Sequence, residues 1–167
     1  MTTASPPVTP ITPAQKQVAE HLISGLTTSE IAAEGHLLRT SVTAHIRSLR
    51  RNLHCQPRSS HPVLVHTLLL HRQVPLPSLA ALRPSFAANE DQQRLMKALA
   101  EHSTTADIAR AANINPADVE HLAADLVRAA GAANATQLVG WGHALDLLGT
   151  NGQGIPDPSA DREGAAR

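Results

Sequence analysis

Five arginines, Arg39, Arg47, Arg50, Arg51 and Arg58, fall between residues 38 and 58, with no aspartate or glutamate among them. A guanidinium carries a permanent charge and a planar fork of N–H donors, which suits phosphate oxygens and the O6 and N7 edge of guanine. A run of such groups without acids points to an anionic polymer rather than to a merely solvated surface. Spacing separates reading from gripping. If Val42, Ile46, Leu49 and Leu53 mark the inner side of a helix, then Thr40, Thr43, Ala44, Arg47 and Arg51 lie on its outer side. A helix fits the major groove, where arginine can hold guanine with two hydrogen bonds. Threonine and alanine methyls can pack there on the thymine methyl.

Other chemistries find little support. His54, Cys55, His61, His66 and His71 cluster in the chain, but their spacing matches no common zinc module. There is no glycine-rich phosphate loop and no carboxylate pair with a reason to be buried together. Cys55 has no base positioned by the sequence to activate it. No catalytic residue, no metal and no cofactor are expected, and the chain is not read as an enzyme.

The basic helix needs neighbours to hold it. Residues 1–10 are polar and proline-rich and read as a disordered arm. Thr12-Pro13-Ala14-Gln15 is a capping box with proline at the first helical position, opening a helix with Val18, Ala19, Leu22 and Ile23 inside and Gly25 at its end. Thr27-Thr28-Ser29-Glu30 opens a second helix that buries Ile31 and Ala32 and stops at Gly35. The basic helix is the third, broken by Pro57. Ser59 or Ser60 caps a fourth, in which Val63, Leu64, Leu68 and Leu69 face inward. A linker at 72–88 holds three prolines and one turn of helix around Leu79–Leu82.

From Asn89 the pattern restarts at an offset of 77 residues. Val18 matches Leu95, Leu22 matches Leu99, Ile31 matches Ile108, Val42 matches Val119 and Leu49 matches Leu126. Thr27 and Glu30 match Thr104 and Asp107, so the capping box recurs as well. Seven matches at one offset indicate a tandem repeat. The expected organisation is therefore all-α: one four-helix unit at 11–71, a second at 89–148, and a disordered tail at 149–167.

The order of helix, short helix, tight turn and longer basic helix is the helix-turn-helix arrangement. The first copy resembles the LuxR/NarL-type DNA-binding domain over residues 11–71. The resemblance rests on Thr12-Pro13, Gly25-Leu26-Thr27, Glu30-Ile31-Ala32, Val42, His45, Ile46, Leu49, Leu53 and Arg58. The second copy keeps Asp107-Ile108-Ala109, Val119, Leu126 and Gly131, and resembles a diverged member of the same fold. The resemblance implies base reading by Thr43, Ala44 and Arg47, with Ser41, His45 and Arg51 near phosphates. Leu38 stands where the family usually has a capping serine, so Arg39, Thr40 or Ser41 must begin the recognition helix. Ser29 and Asn52 replace two lysines that touch phosphate in family members, and Arg50 and Arg51 lie where they can compensate. Glu30 and Arg58 correspond to a structural ion pair. The resemblance further implies a homodimer joined through the fourth helix, reading inverted half-sites about one helical turn, roughly 10 bp, apart. In the alternative arrangement, the second copy covers that helix within one chain, since both last helices are strongly apolar.

Overall charge is zero, but it is unevenly spread. Residues 1–77 carry seven Arg and Lys against three acids, and residues 78–167 carry seven against eleven. The outer side of the second copy's third helix bears Asp118, Glu120, His121 and Asp125 against Arg128, after a strong start at Asn115-Pro116. Phosphates would repel that side. Asp118, Glu120, Asp125 and the single tryptophan, Trp141, form the candidate partner surface, although Trp141 also fits a core position beside Leu138, Val139, Leu145 and Leu148.

Twelve arginines against two lysines fit a GC-rich bacterial genome, and one cysteine permits no internal disulfide. No signal peptide and no membrane-spanning run are recognisable. The expectation is a cytoplasmic, nucleoid-associated transcription regulator whose partner is double-stranded DNA. The competing class is an adaptor of the transcription machinery, with both copies binding RNA polymerase, a sigma factor or another regulator.

Overall fold

Every helix but one pair begins where a side chain can hold the open N–H groups of its first turn. The computed structural model describes residues 7–148. Among them are eight α-helices, one short 3-10 turn and no strand, so the fold is all-α. The first set is α1 (Pro13–Ile23), α2 (Thr28–Glu34), α3 (Arg39–Asn52) and α4 (His61–Leu70). The second is α5 (Glu90–Glu101), α6 (Thr105–Ala112), α7 (Val119–Ala130), which follows the 3-10 turn Pro116–Asp118, and α8 (Ala135–Ala144). Thr12 and Gln15, Thr27 and Glu30, and Asn89 and Gln92 form reciprocal capping boxes at α1, α2 and α5. Ser60 caps α4, Thr104 caps α6 and Asn134 caps α8. The exceptions are α3, whose N-cap Leu38 makes no side-chain bond, and α7, whose start is held one turn earlier by Asn115.

The offset of 77 residues carries into three dimensions: α5, α6 and the 3-10 turn start that far after α1, α2 and α3. The fourth helices differ, α8 starting 74 residues after α4. The cause is the preceding connection, which is long at 53–60 and short at 131–134. Gly131, the C-cap of α7, begins the short one with φ +77°, a left-handed conformation that favours glycine.

One continuous hydrophobic core runs through both sets. At its centre lies α4, with Leu64, Val65 and Leu68 fully buried. Each such burial is worth about 1.5–3 kcal/mol. This helix packs on α1, α5 and α8, and its contact with α8 is the most extensive between any two helices. The polar contacts at the seam are reciprocal. Asn134, the N-cap of α8, donates from Nδ2 to the carbonyl of Gly25, two residues beyond α1, at 2.8 Å. Ser60, the N-cap of α4, donates its backbone N–H to Oγ of Ser103, two residues beyond α5, at 3.0 Å. The fourth helix of each set thus meets the first helix of the other, α4 on α5 and α8 on α1.

Segments read as connecting chain also pack. Of the N-terminal arm, residues 7–10 lie within the described part: Val8 rests on the core and the Thr9 N–H donates to the Asn52 carbonyl at 3.3 Å. In the segment 72–88, Val74 is buried, and Leu79, Leu82 and Phe86 rest against the core. Leu79–Leu82 forms a turn, with the Leu82 N–H donating to the Leu79 carbonyl, and not a turn of helix. Prolines on both sides leave too few donors to extend one. Residues 1–6 and the tail at 149–167 lie outside the described residues. No helix among the described residues is long and apolar enough to cross a membrane.

Candidate nucleic-acid interface

The inner side of α3 is Val42, Ile46 and Leu49, all buried, with Leu53 buried just beyond its end. They pack the helix onto α1 and α2. The opposite side exposes Arg39, Thr40, Thr43, Ala44, Arg47 and Arg51. Arg39, Thr40, Thr43, Ala44 and Arg47 line one shallow concavity. Leu38, 73% exposed, stands at the tip of the helix. With no side-chain cap there, the first N–H groups of α3 point outward at the positive end of the helix dipole. Thr43 donates its hydroxyl hydrogen to the Arg39 carbonyl at 2.9 Å, so its methyl and a lone pair are what it offers outward. Ser41 and His45 are half-buried at the margin of this side.

Arg50 departs from its neighbours. It is half-buried beside Cys55 and His61, with Nε enclosed and lacking a hydrogen-bond partner. Burial lowers its affinity for the proton, and burial followed by the charge of Arg50 lowers that of His61. Arg50 therefore sits at the base of α3 and not on the exposed side with Arg47 and Arg51. Asn52 is also committed to structure, donating from Nδ2 to Gln15 Oε1 at 3.3 Å and tying α3 to the capping box of α1.

The expected ion pair between Glu30 and Arg58 does not form. The Glu30 carboxylate accepts the Thr27 backbone N–H at 2.7 Å, and this bond, with the Thr27 side chain, holds its pKa below the ordinary value. A local cap three residues away satisfies the carboxylate without the reach across the fold that Arg58 would require. Arg58 is exposed and borders a groove with Glu101, His102 and Asp107.

Lys16 pairs with Glu20 on α1, but the pairing of arginines separates the two sets. Among the described residues, Arg39, Arg47, Arg50, Arg51 and Arg58 make no ion pair. In the second set Arg94 pairs with Asp91, Arg110 with Asp107, and Arg128 with Asp125 at 2.8 Å. At the 77-residue offset, Arg39 is replaced by Pro116, Ser41 by Asp118, Thr43 by Glu120, Ala44 by His121 and Arg47 by Ala124. Only Arg51 keeps its type, as Arg128, and that residue is held by Asp125. Asp118, Glu120 and His121 are exposed on the outer side of this turn and helix, next to Leu122.

Trp141 does not belong to the candidate partner surface. It is 2% exposed, in the core on α8, where burying so large a ring outweighs presenting it. The histidine and cysteine cluster disperses. Cys55 faces Thr67, and His66 meets His143 across the α4–α8 seam, Nδ1 to Nε2 at 2.8 Å. Among the described residues no three His, Cys, Asp or Glu side chains gather closely enough to hold a metal ion. The chain carried no signal for the histidine pair, because the fourth helices are offset by 74 residues and the counterpart of His66 at that offset is Gly140.

Comparison of the chain with protein-family models, with curated proteins and with solved structures found no match.

Proposed function

We propose that this chain is a sequence-specific DNA-binding transcription regulator of LuxR/NarL type, with α3 entering the major groove. One observation carries the reading: three exposed arginines, Arg39, Arg47 and Arg51, lie along one side of α3 without an ion pair to any described residue, around Thr40, Thr43 and Ala44. Leaving cations unpaired on one side of a packed helix has little structural benefit, whereas counterion release makes them the main source of affinity for a phosphate backbone. In this reading Arg47 reaches a guanine edge, and the methyls of Thr43 and Ala44 meet thymine. Arg39, Arg51 and the open N–H groups of α3 hold phosphates, with Ser41 and His45 at the margin. Arg58 is a further candidate for the backbone. Arg50, enclosed at its Nε, supports the helix. The second set is the diverged copy of the same domain, and the packed segment 72–88 joins the two.

The reading is tested by separating gripping from reading. Arg47→Ala should cost about 1–3 kcal/mol on a selected site and relax preference at one base pair. Arg51→Ala should weaken all duplexes alike and lower the salt slope by about one unit. Titrations on selected and scrambled duplexes at several salt concentrations measure both. Equal weakening by Arg47→Ala on the two duplexes would show that α3 is not the reading helix. No binding to any duplex at low salt would favour the adaptor reading instead, in which α3 and the acidic turn and helix Pro116–Ala130 meet proteins of the transcription machinery.

A further inference from the structure

The reciprocal contacts of Ser60 with Ser103 and of Asn134 with Gly25, with α4 packed on α5 and α8 packed on α1, are those that an approximate two-fold relation between the sets would give. Two helix-turn-helix heads related by a two-fold axis match two half-sites of inverted sequence about one helical turn apart. Here both heads belong to one chain, and they are not chemically equal. The 14 residues of α3 carry four arginines and no acid. The corresponding stretch, Pro116 to Ala130, carries one arginine and three acids, and the arginine is tied to Asp125. The α4 surface on which a second chain would pair is filled by α8, with Leu64, Val65 and Leu68 fully buried. The expected homodimer through the fourth helix thus has its surface occupied from within.

From this asymmetry we infer that the protein binds DNA as a single chain on one asymmetric half-site, its second head standing over the neighbouring turn without reading it. The inference rests on the DNA-reading function proposed above. A head with three acids and one neutralised cation releases no counterions, and its carboxylates oppose approach to phosphate. The second set then serves as a built-in partner. It covers the apolar side of α4, which two-fold assembly would otherwise have to cover, and does so without a second recognition helix. Few phosphate contacts follow, about two to four cations, so the slope of log K against log salt should be about −2 to −4.

The test is selection of the full chain on a duplex pool with a randomised central stretch, followed by titration and sedimentation on the recovered sequences. One asymmetric block of bases with one chain bound per duplex is expected. Joining a second inverted copy about 10 bp away should leave the affinity per block unchanged within about twofold. Recovery of an inverted repeat, bound cooperatively by two chains, would overturn the inference and leave the DNA-reading function standing. Failure to enrich any sequence over scrambled duplex, even at low salt, would overturn both. A second variant tests the blank head directly. Asp118→Lys combined with Glu120→Lys, both at exposed positions, should extend the protected stretch of duplex and steepen the salt slope by about one to two units. No change in either, with the fold retained by circular dichroism, would show that the second head does not face the duplex and would also overturn the inference.

Discussion

Acid should loosen the seam between the two sets through His66 and His143. Their rings share a 2.8 Å hydrogen bond in a half-buried place between α4 and α8. Burial, and then the neighbouring His66, pushes His143 down to about 4 from the ordinary 6.5. Burial, followed by the charge of Lys97, also lowers His66. A histidine whose pKa is lower folded than unfolded binds its proton preferentially in the unfolded chain. Its contribution to stability is complete above about 6.5 and is lost as pH falls from there to about 4. A shift of that size corresponds to about 3 kcal/mol for a fully desolvated ring. Screening by solvent at a half-exposed place reduces this to about 1–2 kcal/mol. Urea denaturation at pH 7 and pH 4.5, followed by the emission of the single, buried Trp141, measures it. The carboxylates also titrate in this window, so the informative quantity is the difference between the wild type and a His66→Gln, His143→Gln double variant. The variant should lose about 1–2 kcal/mol less than the wild type between the two pH values. Parallel losses in the two proteins would refute the linkage, whatever their absolute stability. The rings take up protons as a pair, so neither single variant is expected to account for the whole difference.

Leu68→Ala, in the middle of α4, should cost about 2–5 kcal/mol in urea denaturation and still give one transition, because the core is continuous. Thr27→Ala removes the cap of α2 and should cost about 0.5–2 kcal/mol. Arg58→Ala breaks no ion pair with a described residue and should change thermal stability by less than about 0.5 kcal/mol, while lowering duplex affinity if Arg58 touches the backbone. A fragment ending at residue 75 uncovers Leu64, Val65 and Leu68 and should self-associate or unfold in sedimentation and circular dichroism. A stable monomeric fragment would show that α8 is not needed to cover α4.

The features that the amino-acid sequence determined by itself are those with local causes. Capping boxes at Thr12, Thr27 and Asn89 act within four residues, and the inner stripe of α3 repeats with the helical period, so helix starts and the exposed arginines could be read from neighbouring letters. The 77-residue offset was legible for the same reason, since it compares local patterns. Tertiary structure decided what depends on distant partners. In α4 apolar residues surround the helix, because α1, α5 and α8 all pack on it, and such a helix has no polar side to announce which neighbour lies where. The Glu30 carboxylate had two available partners, and only the folded geometry shows the cap winning over Arg58. Arg50 and Arg51 are adjacent and identical in type, yet one is half-buried and the other exposed, because successive residues on a helix point about 100° apart. The packing of α8 on α4 joins elements whose starts are 74 positions apart, and the contact of His66 with His143 joins residues 77 apart. Those contacts depend on how two locally legible units meet, and no local pattern encodes that meeting.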